Sequence, residues 1–170
     1  MKTVLSPEKP APLDPSWEVP AFETVELKPR STRYCVMIPV INEGERLINQ
    51  LANMQRLQTG LHADVIILDG GSTDGSIDPD RLRALGVRAF LVKKGPGKLS
   101  AQLRMGFAWA LCQGYEGFIT VDGNGKDGVE AVPAFVRELE RGGDFVQGSR
   151  YVDGGQAINT PLVRTLAIKL

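Results

Sequence analysis

Short apolar runs separated by longer stretches of mixed polarity are the main pattern in this sequence. Five of these runs predict β-strands: YCVMIPV at 34–40, DVIILD at 64–69, RAFLVK at 88–93, GFITVD at 117–122 and DFVQGS at 144–149. Several are apolar at successive positions rather than alternate ones, which is typical of strands buried on both faces of a parallel sheet.

The stretches between the runs predict helices. Apolar residues at helical spacing mark two of them: Leu47, Leu51 and Met54 in the first, and Leu99, Leu103, Phe107 and Leu111 in the strongest. A further helix is expected near residues 132–141. Because strands and helices alternate, we predict an α/β fold, with an open, mostly parallel, Rossmann-like sheet and helices on both faces.

Residues 1–32 are rich in proline and predict an extension that precedes one domain at 33–170. Proline opposes helix and interrupts the hydrogen bonding of a sheet. We therefore expect an extended arm on the surface, anchored by Trp17 and Phe22. The alternative is a partly disordered tail.

Charge and hydropathy exclude two classes of protein. Lys plus Arg and Asp plus Glu both number 20, so no broad basic surface is expected for nucleic acid. No apolar run approaches the roughly 20 residues that span a bilayer, and the start MKTVLSPEKP has no apolar leader. We expect a cytoplasmic protein whose specificity lies in local sites.

Polar residues follow every predicted strand. In strand order they are Asn42 and Glu43, then Asp69 and Asp74, then Lys94 and Lys98, then the turn from Asp122 to Asp127, and finally Arg150. Ligands of open α/β sheets bind beyond the carboxyl ends of the strands, so these residues predict one site. Their mixed charge suits a ligand with a polar base, a ribose and a diphosphate.

Two phosphate-binding motifs match by letter and fail in context. Residues 123–128 read G-x-G-x-x-G, yet they follow the fourth strand, whereas a dinucleotide fingerprint opens the first βαβ unit. GPGKLS at 95–100 has the Gly-Lys of a P-loop, but Leu99 replaces the Ser or Thr that would bind magnesium. Neither a redox enzyme nor a nucleoside triphosphatase is indicated.

A transferase accounts better for the charged residues. A nucleoside diphosphate sugar needs a cation on its leaving diphosphate, and Asp122 lies where a carboxylate would hold a divalent ion. Lys98 has two interpretations, a phosphate contact at a helix N-terminus and a solvated surface lysine.

Five segments together resemble the inverting glycosyltransferases of family two, which have a GT-A fold. They are IPVINEGERL, IILDGGSTDGS, LSAQLRMG, FITVDGNGKD and DFVQGSRY. GSRYVDGG followed by TPLVRTLAIKL resembles the branch of dolichyl-phosphate mannosyltransferases, which use polyprenyl phosphates. The resemblance covers residues 33 to about 170.

The resemblance implies roles for individual residues. Pro39, Asn42 and Glu43 would line the nucleotide pocket. Asp69 would contact the base and Asp74 would support the same loop. Asp122 would be the first acid of the DXD motif, beside diphosphate and metal, and Arg150 would bind phosphate together with a second arginine, Arg164.

The turn after the fourth strand departs from the family pattern. Asn124 replaces the second acid of the motif, and Lys126 stands two positions later. An amide oxygen can ligate Mg²⁺ or Mn²⁺ without adding charge, and a protonated lysine cannot ligate at all. We expect a weaker metal site at Asp122, Asn124 and Asp127, with Lys126 supplying part of the missing positive charge. The alternative is that Lys126 points to solvent.

The predicted reaction is transfer of a sugar from a nucleoside diphosphate sugar, with inversion. The absence of a general base among the candidates favours an acceptor that is already anionic, such as a lipid phosphate at the inner face of the membrane. The ending LVRTLAIKL suggests a missing acceptor side, and its apolar residues would contact that side, a membrane surface or a second copy of the chain. A non-catalytic nucleotide-sugar-binding module and a sugar-nucleotidyltransferase remain as alternatives.

Overall fold

A mixed five-stranded sheet with helices on both faces forms the body of the protein. The computed structural model describes residues 14–149. The strands are β1 (Phe22–Glu26), β2 (Tyr34–Val40), β3 (Asp64–Asp69), β4 (Val87–Lys93) and β5 (Gly117–Thr120), and the helices are α1 (Glu45–Arg56), α2 (Pro79–Ala84), α3 (Leu99–Cys112) and α4 (Val132–Glu140). The sheet order is β1-β4-β3-β2-β5. All neighbouring strands are parallel except β1 and β4.

Four of the five predicted strands are confirmed, and the predicted open, mostly parallel α/β sheet with them. The predicted strand at 144–149 is wrong, since these residues form neither strand nor helix. The run has few apolar side chains to bury, and its largest, Phe145, is 84% exposed. Residues 143–148 instead line a groove along β5.

The strand β1 lies within the stretch predicted to be an extension. It pairs antiparallel with β4, with Phe22 opposite Lys93. Phe22 packs against the apolar cluster on one face of the sheet, as expected of an anchor, while Trp17 stays 42% exposed. The prolines flank this strand rather than interrupt it, and its FETVE sequence shows the polar pattern of an exposed edge.

Two apolar clusters fix the helices to opposite faces of the sheet. One face carries α1, α2 and α4, whose buried residues meet alternate residues of β2 such as Val36 and Ile38. The other face carries α3, which packs on Cys35 and Met37 of the same strand. No helix within 14–149 has the length and apolarity needed to cross a bilayer.

The helix α3 buries a different face from the predicted one. Leu99 is 54% exposed and Leu111 is 48% exposed, while Leu103 and Phe107, between them in the predicted row, are half-buried against the apolar cluster. The row therefore lies at the margin of the core. The buried residues are Ala101, Gln102, Met105, Gly106, Ala108, Trp109 and Ala110. Small residues lie on this face because the helix approaches the sheet closely, and they carry a weak hydrophobic signal in the sequence.

At Gly106 the helix α3 approaches the sheet closely. A Cβ atom there would lie 2.6 Å from a methyl carbon of Leu68 and 3.1 Å from the sulfur of Met37. Both neighbours are fully buried, so neither can move aside at low cost.

Gly106→Ala is expected to lower the free energy of unfolding by about 1 kcal/mol or more, because overpacking outweighs the gain in helix propensity. Urea denaturation measures the difference. Gly60→Ala is the matched control, since a Cβ at Gly60 meets nothing within 4 Å, and its effect should stay within about 0.5 kcal/mol. A Gly106→Ala protein more stable than the wild type would contradict the close packing.

Candidate active site

A cavity of about 650 Å³ opens at the carboxyl edge of the sheet, between the N-terminus of α3 and the turn after β5. Five of the predicted site residues line it: Pro39, Glu43, Lys98, Asp122 and Asp127. Lys93, Gly70 and Gln102 also contribute to its wall. The cavity is large enough for part of a nucleoside diphosphate sugar.

The position of β2 brings three loops to this cavity. β2 pairs in parallel with β3 on one side and β5 on the other, so the carboxyl ends of all three strands meet. Backbone bonds extend the contact past the strand ends, with the Gly70 N–H donating to Val40 O at 2.8 Å and the Val121 N–H to Met37 O at 3.0 Å. The loops are therefore attached to one rigid edge.

Asn42 joins the loops after β2 and β3. Its amide oxygen Oδ1 accepts from the Thr73 N–H at 2.8 Å, and its own N–H donates to Ser72 Oγ at 2.9 Å. Its backbone has φ 53°, a left-handed conformation that asparagine tolerates better than most residues. Asn42 is not among the residues that line the cavity, so what the structure shows for it is loop support.

Two aspartates brace the same loops. Asp69 is buried, and its Oδ1 accepts from the Ser72 N–H at 2.9 Å. Asp74 accepts from the hydroxyl and the N–H of Ser76 and from the Gly44 N–H, at 2.6, 3.0 and 2.8 Å. These hydrogen bonds, those from Ser76 above all, lower the pKa of Asp74. Asp74 therefore links the loop after β3 to the loop after β2.

The turn after β5 is held by its own side chains. Asp127 Oδ2 accepts from the Asp122 N–H at 2.8 Å. Asn124 donates its side-chain N–H to Asp122 Oδ2 at 2.7 Å, while its oxygen Oδ1 accepts from the Lys126 N–H at 2.9 Å. The Asn124 group that faces Asp122 is thus a hydrogen-bond donor.

The glycines of this turn have structural roles that explain the G-x-G-x-x-G match. A Cβ at Gly123 would lie 2.6 Å from Val40 Cγ1 and 3.0 Å from Pro39 O, so only glycine lets the turn pack on the end of β2. Gly125 has φ 75°, which favours glycine. A short 3-10 turn at Val129–Ala131 separates this segment from α4, whereas a dinucleotide turn opens its helix directly.

The fit of the turn to a divalent cation can be judged from its donor atoms. Residues 14–149 contain no cluster of three or more His, Cys, Asp or Glu side chains able to hold a metal. Asp122 and Asp127 are both exposed and both line the cavity. Magnesium is commonly held by one or two carboxylates and the substrate phosphates, which these residues fit. Asn124, predicted as a ligand, turns its nitrogen rather than its oxygen toward Asp122.

The predicted cationic residues differ in their surroundings. Lys98 is exposed at the cavity wall, where α3 begins without a side-chain cap. Lys94 forms an ion pair with Glu23 of β1, at 3.1 Å. Lys126 is exposed and has no ion pair within the described part of the chain. Arg150 and Arg164 lie outside the described residues.

Two buried glutamines near the carboxyl edge of the sheet were not predicted from the sequence. Gln50 of α1 accepts from the Gly125 N–H at 3.0 Å through Oε1, and its Nε2 is buried without a partner in the described structure. Gln102 of α3 donates to Val40 O and to Leu68 O, both at 2.8 Å. The sequence signal for both was a polar residue on the apolar face of a predicted helix. Gln50 lies among the buried residues of α1, and Gln102 among those of α3.

Comparison with known proteins places this site in a family. The Glycosyl transferase family 2 profile matches residues 35–167 of the 170, a range that includes every loop around the cavity. The chain belongs to glycosyl transferase family 2. This confirms the resemblance drawn from the five sequence segments, and the sheet described above is consistent with the GT-A fold of that family.

Curated relatives in this family carry names that refer to polyprenyl or dolichol phosphates. The chain is 29% identical over 146 residues to the polyprenol monophosphomannose synthase of Mycolicibacterium smegmatis, covering 81% of this chain and 52% of that protein. It is 32% identical over 136 residues to the undecaprenyl-phosphate mannosyltransferase of Micrococcus luteus, covering 79% and 55%. It is 27% identical over 135 residues to the dolichol-phosphate mannosyltransferase of Pyrococcus furiosus, covering 79% of this chain and 38% of that protein. The chain thus spans about half the length of these relatives, or less.

The support that Asn42 gives to the loops can be tested by two substitutions. Asn42→Ala is expected to lower the free energy of unfolding by about 2 kcal/mol, because it loses the bond from Thr73 and strains a left-handed residue. Asn42→Gly removes the same bond without the strain and should cost about 1 kcal/mol. Urea denaturation of both variants provides the comparison, and equal losses would argue against strain at this position.

Proposed function

We propose that this chain is the donor-binding part of an inverting glycosyltransferase that moves a sugar from a nucleoside diphosphate sugar to a polyprenyl phosphate. One observation carries the proposal: Asp122 and Lys98 line the same cavity at the carboxyl edge of the sheet, in a chain of glycosyl transferase family 2. The names of the relatives support a polyprenyl phosphate as the acceptor.

The proposed binding mode follows the order of the strands. Asp122 and Asp127, after β5, would hold a Mg²⁺ or Mn²⁺ ion together with the donor diphosphate. Such an ion neutralises the charge that develops on the leaving diphosphate. Lys98 and the uncapped first N–H groups of α3 face the cavity from the other wall and would also favour an anion. Pro39 and Glu43 would lie between the diphosphate and the nucleoside. Asp69, after β3, is proposed to contact the base on the strength of the resemblance alone, since it is buried and is not among the residues that line the cavity.

The proposed reaction is a direct displacement at the anomeric carbon. An oxygen of the acceptor phosphate forms the new bond to this carbon as the bond to the donor diphosphate breaks, which inverts the configuration. The acceptor oxygen is already anionic, so no strong general base is required. Arg150 and Arg164 are proposed to bind phosphate groups, on the strength of the resemblance alone. Since such an acceptor is a membrane lipid, we propose that the protein works at the membrane surface from the cytoplasmic side.

A non-catalytic nucleotide-sugar-binding module is the second candidate. It is favoured by the contact between Asn124 and Asp122, in which an amide N–H donates to one of the two carboxylate oxygens that a metal ion could use. Binding of a donor without transfer of its sugar would support this candidate.

A panel of nucleotides tests the donor class. UDP or GDP, added at about 100 times its Kd, should raise the Tm by roughly 5–10 °C, because the nucleotide binds only the folded chain. Transfer of a radiolabelled sugar from the matching nucleotide sugar to undecaprenyl phosphate should then be measured with the full chain. Selective stabilisation by NAD or by nucleoside triphosphates would overturn the proposal.

The role of Lys126 is tested by titrating metal. We expect Lys126→Ala to weaken binding of the preferred nucleoside diphosphate roughly 10-fold in EDTA, since it removes one charged contact to phosphate. The loss should be smaller with saturating Mg²⁺ or Mn²⁺. Arg137→Ala, on α4 and absent from the cavity wall, is the control. If nucleotide binding requires the metal ion and Lys126→Ala does not change that requirement, the lysine does not replace part of the metal charge.

A further inference from the structure

We propose that Gln102 is a positioning residue for the nucleoside end of the donor cavity. It holds the ends of β2 and β3 together and presents its carbonyl oxygen Oε1 as a fixed hydrogen-bond acceptor to the nucleoside. This inference rests on the proposed function and identifies a residue that helps to determine which base is bound.

The carboxamide of Gln102 bridges two strand ends. The residue is only 5% exposed, and its Nε2 donates to Val40 O and Leu68 O at 2.8 Å each. Val40 O also accepts the Gly70 N–H, at 2.8 Å. The last carbonyl of β2 is therefore shared between α3 and the loop after β3.

These contacts fix the orientation of the side chain. A carboxamide has two N–H donors and one acceptor oxygen, and both donors of Gln102 are used by the backbone. The oxygen Oε1 is the polar part left to meet a ligand, and Gln102 lines the cavity. Because the amide is planar and held at two points, its oxygen is oriented before a ligand binds, which reduces the entropic cost of binding.

Gly70 shows how tightly this region is built. A Cβ on Gly70 would lie 3.0 Å from Nε2 of Gln102 and 3.3 Å from Val40 O. The loop after β3 thus passes directly over the carboxamide, next to Asp69. A change at Gln102 is transmitted to this loop and to the aspartate proposed to contact the base.

The sheet order separates the two ends of the donor. Asp122 follows β5, which lies on one side of β2, whereas Gln102 acts at the junction of β2 with β3 on the other side. A diphosphate held between Asp122 and Lys98, the residue one turn before Gln102, leaves the nucleoside on the β3 side of β2, where Gln102 acts. A purely structural glutamine would change stability without changing the preference among bases.

Gln102→Met tests the inference, because it keeps a similar volume and removes every polar contact of the carboxamide. Gln55→Met is the matched control: Gln55 also donates to a backbone carbonyl, Ala84 O at 2.8 Å, and it lines no part of this cavity. Calorimetric titration with UDP, GDP, ADP, CDP and inorganic pyrophosphate, each in Mg²⁺, gives the Kd values.

The expected result is a roughly 10-fold weaker Kd for the preferred nucleoside diphosphate in Gln102→Met, as the loss of one or two hydrogen bonds implies. The ratio of Kd values between the best and worst base should shrink, and pyrophosphate binding should stay the same. Gln55→Met should match the wild type in all of these. A folded Gln102→Met protein with the wild-type Kd and base ranking would overturn the inference.

A measurement on the wild type covers the case in which Gln102→Met does not fold. The side-chain amide signals of Gln102 in a nitrogen-15 spectrum should shift on addition of the preferred nucleoside diphosphate and stay in place with pyrophosphate. Gln102 amide signals that do not shift when the nucleotide binds would overturn the inference. If no nucleoside diphosphate binds the wild type, the proposed function is wrong. If one binds but the Gln102 signals do not shift, only the inference about Gln102 is wrong.

Discussion

The parallel pairing of β2 with both β3 and β5 is the constraint on which the site depends. Parallel neighbours end at the same edge, so the segments after these three strands meet whatever their sequences are. Their sequences then determine how closely the loops pack and which hydrogen bonds join them. Gly123 allows the turn after β5 to pack on Val40 and Pro39, and Val40 O accepts bonds from Gly70 and Gln102. A small displacement of β2 would therefore alter the three loops that it brings to the cavity.

The two carboxylates of the turn after β5 already accept hydrogen bonds from the turn itself. The exposed Asp122 already receives an N–H from Asn124, and Asp127 receives the N–H of Asp122. A turn organised in this way offers a cation fewer free oxygen atoms than a turn with two free acids would. We propose that Lys98, at the cavity wall, and Lys126, exposed on the turn but not among the residues that line the cavity, complement the charge of a diphosphate. The proposed site combines a weak metal position with lysine charge.

Much of the fold could be predicted from the sequence because buried parallel strands carry a strong signal. YCVMIPV and DVIILD are apolar at nearly every position, and both form strands over the predicted residues. The edge strand β1 was missed because its exposed FETVE sequence resembles a loop. The buried face of α3 was misassigned because its closely packed face consists of Gly106, alanines and few large apolar residues, whereas the hydrophobic row from Leu99 to Leu111 lies at the margin of the core, with both ends exposed.

The candidate site was predictable to a similar degree, and for similar reasons. Residue types with obvious chemistry at strand ends, such as Asp122 and Glu43, do line the cavity. The division between lining and bracing residues depends on backbone conformation and on bonds between loops, as Asn42 shows. Gln50 and Gln102 act through contacts between segments far apart in the sequence, which no local pattern encodes.

A crystal structure of the protein with a bound nucleoside diphosphate and Mg²⁺ would show directly how the donor is oriented in the cavity. We predict that the diphosphate lies against the turn of Asp122 and Asp127, and that the base lies at the junction of β2 and β3 beside Asp69 and Gln102. A nucleotide bound in the reverse orientation, or at a different surface of the protein, would contradict it.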